Sequence, residues 1–265
     1  MSAHCERVES AQNSRFKQAL KWAKSPSSKL KALNLALCEG LHLAQEVLRQ
    51  QPESVQQIWL PESLWAEPQW QELSALADHV EMFEVPNALY AKLSQLPSPT
   101  GPMVIFKPTG SSLAPNAEGN WVIFDAIQDP GNLGTMLRTC ASAGIESIGL
   151  TPGCAWPWGE KALRAGMGAQ WQLHCVEAEQ LPELSEHQWL VTHLSDESVS
   201  LYDCQLEIPT VWVFGNEGQG VSNQWIAKAS KLVKIPQVEG VESMNVSASC
   251  AVALFEQVRQ QGLAC

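Results

Sequence analysis

Short apolar runs alternate with stretches of helical periodicity along most of the chain. HLAQEVLRQ (42–50) repeats its apolar positions at helical spacing, VQQIWL (55–60) reads as a strand and WQELSALAD (70–78) as a helix. VEMFEV (80–85) and PMVIF (102–106) follow as strands, with LYAKLSQL (89–96) between them as a helix. Such alternation predicts an α/β architecture with largely parallel strands. The segment KPTGSSLAPNAEGN (107–120) has no period and is rich in Gly, Pro, Ser and Asn, the composition of a linker. Beyond it the pattern restarts with WVIFDAI (121–127) as a strand, QDPGN (128–132) as a turn and LGTMLRTCASAGI (133–145) as a helix. SIGL, WLVTHL, VWVFG and LVKIP are further strands, and a last helix starts at about Asn245. The expected division is 1–108 as one small α/β domain, 109–120 as linker and 121–265 as a second domain.

The totals narrow the class. A chain of 265 residues with 45% hydrophobic and 17% charged residues carries an ordinary globular core, and two modest domains fit its length. No window approaches the roughly 18 consecutive apolar residues of a membrane span. MSAHCERVESAQNSRFK lacks the apolar segment of a secretory signal, so the expectation is a soluble cytoplasmic protein. Eight scattered cysteines without any C-x-x-C indicate neither a disulfide scaffold nor a zinc site. The sequon at Asn245 has no consequence without secretion. The net charge of −11 is unevenly spread: residues 1–50 hold 8 Lys+Arg against 4 Asp+Glu, whereas 109–265 hold 7 against 17. A polyanion would meet the N-terminal end first; the alternative is that these charges only solvate helix faces.

Three stretches carry candidate chemistry. In DPGNLGTMLRTCASAGI (129–145), Leu133, Met136, Leu137, Cys140 and Ala141 share one helix face. Arg138 lies just off that face, and its helical neighbours Gly134, Thr135 and Ser142 are small, leaving the guanidinium an open path outward. Asn132 precedes this predicted helix at the carboxyl end of a strand, where open α/β sheets place ligands. The plain reading is a capped helix with a solvated Arg. In VWVFGNEGQGVS (211–222) a buried strand runs into a loop with Gly215, Gly218 and Gly220, and Glu217 is its only charge. The spacing fits neither G-x-G-x-x-G nor a phosphate loop; a structural turn with Ser222 capping the next helix is the alternative. In VESMNVSASCAVALFEQ (241–257) Glu242, Ser243, Asn245 and Ser247 feed a helix apolar on nearly every side. That pattern predicts a buried helix whose polar start points into a protected site, more polar groups than a cap alone requires. A helix start satisfied by its own side chains is the alternative.

In combination, Asn-x-Gly-x-x-x-Arg after a strand, then GNEGQG, then IP…G…S-M-N-V-S resemble the three motifs of the SpoU/TrmH group of SPOUT methyltransferases over about residues 121–260. EKALRAGMGAQW (160–171) is similar to the family's segment between the first two motifs, and residues 1–108 resemble the ribosomal-protein-like RNA-binding extension of several members. The resemblance implies an α/β fold made of a C-terminal SPOUT knot with a mainly parallel sheet and a small N-terminal α/β substrate-binding domain. It implies methyl transfer from S-adenosylmethionine to a ribose 2′-hydroxyl in RNA, without metal, by a homodimer formed through the C-terminal domain.

By the same resemblance Asn132, Arg138, Glu217, Ser243 and Asn245 form the catalytic group. Phe214, Gly215, Glu217, Gly218, Ile235, Met244 and Asn245 hold the cofactor. Met244 stands where Leu is usual, and Gly159 and Glu160 replace the frequent Ser-Pro before Lys161. Because the C-terminal half is acidic, Arg15, Lys17, Lys21, Lys24, Lys29 and Lys31 are the expected anchors for RNA phosphates. Trp22 is a candidate for stacking on a base, with core packing as the alternative. Ribosomal RNA is the first expected target and transfer RNA the second. A non-catalytic RNA-binding knot dimer and a small-molecule methyltransferase are the readings from other classes.

Overall fold

The computed structural model describes residues 5–70, 75–77, 80–98, 101–110, 116–238, 240 and 243–262. Its packing separates two units: Met1–Thr109 with Trp158–Gly168, and Gly110–Pro157 with Ala169–Cys265.

The first unit contains β1 (Cys5–Arg7), α1 (Ser14–Ala23), α2 (Ser27–Ala32), β2 (Ala36–Glu39), α3 (Leu41–Gln50), β3 (Val55–Pro61), β4 (Glu81–Val85), α4 (Asn87–Leu93) and β5 (Met103–Phe106). The strands lie in the order β1-β4-β3-β5-β2. β1 and β3 run parallel to β4, but β5 is antiparallel to both β2 and β3, so this sheet is mixed where the alternation predicts largely parallel strands. Its core is aromatic: Trp59 stacks on Phe83 at 4.3 Å, with Phe16 edge-on to Trp59 at 5.9 Å. The Asn13 side chain accepts from the Arg15 and Phe16 amides and so starts α1. Most of the helix expected over 70–78 falls outside the described residues, and 75–77 form a 3-10 turn. Lys107, at the expected start of the linker, still donates its amide to Ser54 O at 2.9 Å.

The second unit has β6 (Trp121–Asp125), α5 (Pro130–Ser142), β7 (Ser147–Leu150), β8 (His174–Glu177), β9 (Gln188–Thr192), β10 (Val199–Ser200), β11 (Thr210–Gly215), α7 (Asn223–Ile226), β12 (Lys231–Lys234) and α8 (Val246–Gln261). The intervening α6 (Glu160–Gly166) belongs to the first unit, where it packs on β2. All seven strands are parallel, in the order β10-β12-β9-β11-β6-β7-β8. The central strands β6 and β11 are buried along their whole length. Val122, Phe124, Trp212 and Phe214 face α5 and α8, whereas Trp121, Ile123, Val211 and Val213 face the other layer. Covering both faces explains why these strands read as unbroken apolar runs.

Helix α5 begins inside the expected turn. Pro130 occupies its first position and the Asp129 side chain accepts from Asn132 N, so QDPGN supplies a cap and a first turn. Helix α8 is buried on one side only. Cys250, Ala253, Leu254 and Gln257 are enclosed, but Phe255 is 44% exposed. The sheet and α5 cover a single stripe of α8, and its apolar residues exceed that stripe.

Candidate functional site

The carboxyl ends of β6, β9, β11 and β12 all reach the same edge of the parallel sheet, which is where connecting loops converge on a ligand in open α/β folds. After β11 the chain makes a tight loop, closed by Asn216 N to Gly220 O at 3.1 Å and Gly220 N to Asn216 O at 2.9 Å. Asn216 Oδ1 accepts from the amides of Gly218 and Gln219, and its Nδ2 donates to Ala126 O at 2.9 Å. Gly220 has φ +71°, and a Cβ on Gly215 would lie 2.3 Å from the backbone of Gly220 and Val221. Glycine is therefore required at Gly215 by the returning chain itself.

Under the loop, the buried Asp125 carboxylate ends β6. It accepts from Ser222 N at 2.7 Å and from Thr151 Oγ1 at 3.1 Å. Thr151 Oγ1 in turn accepts from Ala126 N, a residue held at φ +54°. Ser222 sits at the cap position of α7 without a side-chain cap bond; its amide is tied to Asp125 instead. Asp125, Thr151 and Asn216 thus build the site although the motif reading passes over them. The Asn-x-Gly spacing of an Asx turn was a legible signal for Asn216; nothing local marked Asp125 or Thr151.

A cavity of about 330 Å³ opens beside the loop, a size suited to a small organic ligand. Phe214, Gly215, Glu217, Gly218, Ile235 and Met244 line it, as do Ser243 from the third motif and Ser249 from the helix that follows it. Its walls combine apolar side chains with the loop backbone and hydroxyls, which suits a ligand with both apolar and polar parts. Asn245 is not among the lining residues. It caps α8, accepting from the amides of Ser247 and Ala248 and from Ser247 Oγ, and its Nδ2 donates to Asn132 Oδ1 at 3.2 Å. Asn132 Nδ2 donates to Glu217 Oε1 at 2.6 Å. One chain of side-chain hydrogen bonds, from the Glu217 carboxylate through the Asn132 amide to the Asn245 amide, therefore joins all three motif segments.

Ser243 and Asn245 are exposed, so the start of α8 sits at the rim of the cavity and not in an enclosed interior. Ser243 makes no hydrogen bond among the described residues, and Glu242 lies outside them. Arg138 is exposed on α5, and its guanidinium has no ion pair or hydrogen bond among the described residues. It follows Asn132 by six helical positions, hence about 9 Å along the axis and on another face. The first motif's two polar residues are thus separated: Asn132 enters the network, and Arg138 stays open to solvent.

In the first unit, Arg15 is already engaged, with Glu6 at 3.4 Å, Glu81 at 3.3 Å and the Phe83 ring beneath it at 5.3 Å. Lys17, Lys21, Lys24, Lys29 and Lys31 are exposed and have no ion pair among the described residues.

Residues 119–255, just over half of the chain, match the model of the SpoU rRNA methylase family. Over 192 residues, 70% of both chains, the sequence is 32% identical to an uncharacterized tRNA/rRNA methyltransferase of Synechocystis. It is 27% identical to the Bacillus subtilis 23S rRNA (guanosine(2553)-2′-O)-methyltransferase RlmP, across 94% of this chain and 98% of that one. Among solved structures, an AdoMet-bound rRNA methyltransferase from Sinorhizobium meliloti superposes with a TM-score of 0.83 at 23% identity, covering 98% of this chain and 99% of that one. The AdoMet complex of the SpoU methyltransferase AviRb from Streptomyces viridochromogenes gives 0.79 at 20% identity, covering 96% and 100%. The structural likenesses establish the SPOUT-type α/β fold, and the family model with the Synechocystis relative establishes that the chain belongs to the SpoU rRNA methylase family.

Proposed function

We propose that this chain transfers a methyl group from S-adenosylmethionine to a ribose 2′-hydroxyl in RNA, with ribosomal RNA as the substrate. The observation that carries the reading is the hydrogen-bonded chain Glu217–Asn132–Asn245, which ties three distant motif segments together and starts from a residue that lines the cavity. Bound S-adenosylmethionine would supply an electrophilic methyl on a sulfonium. The residues assigned to hold it are Phe214, Gly215, Glu217, Gly218, Ile235 and Met244 around the cavity, with Asn245 at its rim.

In this reading the protein's contribution is mostly positioning, because displacement at carbon needs the nucleophile in line with the leaving group. Glu217 fixes the Asn132 amide, and Asn132 in turn fixes Asn245, so the polar rim is set before RNA arrives. Ser243, open at that rim, is assigned to the incoming ribose. Among the described residues nothing engages the donor fork of Arg138. A guanidinium is a poor proton acceptor at neutral pH, so its role is to grip a phosphate beside the target nucleotide and to stabilise the developing alkoxide. The protein acts as a homodimer. Ala248 and Phe255 are exposed on α8 at i and i+7, with the half-buried Val252 between them at i+4, an apolar stripe suited to a second copy. In this reading the first unit binds the RNA and the enzyme works in the cytoplasm.

The test is mass-spectrometric nucleoside mapping of ribosomal and transfer RNA from cells with and without the protein. The expected result is loss of one 2′-O-methyl nucleotide from ribosomal RNA, restored by the wild type and not by Arg138→Ala. In vitro, Arg138→Ala should lower turnover by about 100-fold or more. Arg138→Lys should recover only a small part, since an ammonium cannot make the bidentate contact. Near-normal turnover of the Lys variant would remove the phosphate-gripping role, and loss from transfer RNA would move the substrate there.

A further inference from the structure

The first unit contains a second cavity, of about 550 Å³, walled by α1, α2, β3 and the segment after β5. Strict alternation along a strand sends neighbouring residues to opposite faces. Gln56 and Gln57 nevertheless both line this recess, because the pairing of β3 with β5 slips between Val55 and Gln57. A bulge of this kind re-aims side chains and recurs beside binding sites.

The chemistry of the walls is consistent with one ligand class. Lys21, Lys29 and Lys107 stand on three separate segments of the wall, and none has an ion pair among the described residues. The one carboxylate among the described lining residues, Glu81, is already held by Arg15 at 3.3 Å. Trp22 is half-buried and adds a flat apolar surface to the same wall as the two glutamines, where Gln56 Nε2 also donates to Ser54 O and Gln57 Oε1 also accepts from Trp59 Nε1. Cations, one indole face and side-chain amides in a recess of this size fit an anion that carries a flat ring with hydrogen-bonding edges.

We infer that this recess binds a single unstacked nucleotide of the RNA substrate, with its base against Trp22 and within reach of Gln56 and Gln57, and its phosphates on Lys29 and Lys107. The inference rests on the RNA-methyltransferase reading and deepens it: single-stranded or looped RNA is selected, since a stacked base in a duplex cannot enter. The acidic second unit makes such an anchor in the first unit necessary for affinity.

The test uses the full-length protein and a 5′-fluorescein-labelled mixed-sequence 12-nucleotide RNA, single-stranded or annealed to its complement, read by fluorescence anisotropy. The single strand should bind at least tenfold tighter than the duplex. Trp22→Ala should weaken it by about 5- to 100-fold, the range for loss of one stacked base, and Trp22→Phe should restore most of that. Lys107→Glu, at an exposed position and harmless to folding, should weaken binding several-fold; Lys29→Ala and Lys107→Ala should each flatten the salt dependence by about 0.7 in slope. Equal binding of duplex and single strand, or unchanged affinity in both Trp22→Ala and Lys107→Glu, would overturn the recess. Displacement by inorganic polyphosphate with equal efficiency in wild type and Trp22→Ala would also overturn it, leaving a simple anion site. Calorimetric titration of S-adenosylmethionine in the same samples separates the two readings. Intact cofactor binding beside a failed RNA result removes the recess alone; absent cofactor binding beside Trp22-dependent RNA binding removes the methyltransferase reading alone.

Discussion

The two units are both helices layered on a five- or seven-stranded sheet, yet they make their polar concavities in different ways. In the second unit every strand runs the same direction, so all carboxyl ends fall on one edge and the loops after β6, β11 and β12 meet there by connectivity alone. In the first unit β5 opposes its neighbours, the strand ends are divided between two edges, and the recess depends on a local defect, the slip at Gln56. A site of the first kind is a consequence of topology and should fail only when the backbone crossing fails. A site of the second kind is a consequence of a few side chains and should be adjustable one contact at a time.

The sharpest way to break that contrast is Gly215→Ala. The new methyl would lie 2.3 Å from backbone atoms of Gly220 and Val221, which no rotamer change relieves. Overpacking against backbone costs about 3 kcal/mol or more, and the loop that walls the cavity would be displaced. The expected outcome is a lower Tm and loss of S-adenosylmethionine binding by calorimetry, with affinity for the single-stranded RNA retained within about twofold. Full cofactor affinity in this variant would mean that the close crossing does not shape the cavity.

Asn245 permits a finer separation, because it is both a helix cap and a member of the hydrogen-bonded chain. Asn245→Ala should cost about 1 kcal/mol of stability and about 100-fold in methyl transfer. Asn245→Asp keeps an oxygen for the cap but turns a second oxygen on Asn132 Oδ1. Its Tm should stay near wild type while turnover falls as far as in the Ala variant. Equal activity of the Asp variant and the wild type would reduce Asn245 to a cap.

Which parts of this were legible beforehand follows from the range of the forces involved. The apolar runs of β6 and β11 and the periodic face Leu133, Met136, Leu137 and Cys140 were plain, because burial acts on each position independently. The start of α5 was misplaced by several residues, since QDPGN contains turn-forming residues that also make a cap and a proline first turn. The exposure of Phe255 was missed because hydrophobicity all round a helix does not say how many faces the rest of the chain can cover. At the site, Asn132, Glu217 and Asn245 could be named from motifs. Their mutual hydrogen bonds and the support from Asp125 and Thr151 come from residues 26 to 113 positions apart, which no local pattern encodes. The slip at Gln56 was equally invisible, because a bulge leaves the composition of its strand unchanged.

The smallest expected effects come from one carboxylate in each unit, and they should have opposite signs. Glu39 in the first unit has its carboxyl raised above the usual range by burial, against the lowering effect of hydrogen bonds from Ser94 Oγ and Gln95 N. Glu256 on α8 is held down to about 2 by hydrogen bonds from Arg259, then from Gln260. For Glu256 the folded state binds its proton less readily than the unfolded chain. Its contribution is therefore complete above the ordinary value near 4.5 and is lost as pH falls towards 2. For Glu39 the unfolded chain ionises first, so the folded state loses stability as pH rises from the ordinary value up to the raised one. Thermal melts between pH 3 and 7 at fixed ionic strength should show Glu256→Gln falling further behind the wild type as pH rises through 3 to 5, by roughly a degree or two in Tm, since the Arg259 side chain is 71% exposed and solvent screens the pair. Glu39→Gln should gain on the wild type as pH rises above about 4.5. Parallel curves for both variants would mean that neither carboxylate is held differently in the folded chain, and slopes of the same sign would remove the contrast between an acid raised by desolvation in one unit and an acid lowered by its guanidinium partner in the other.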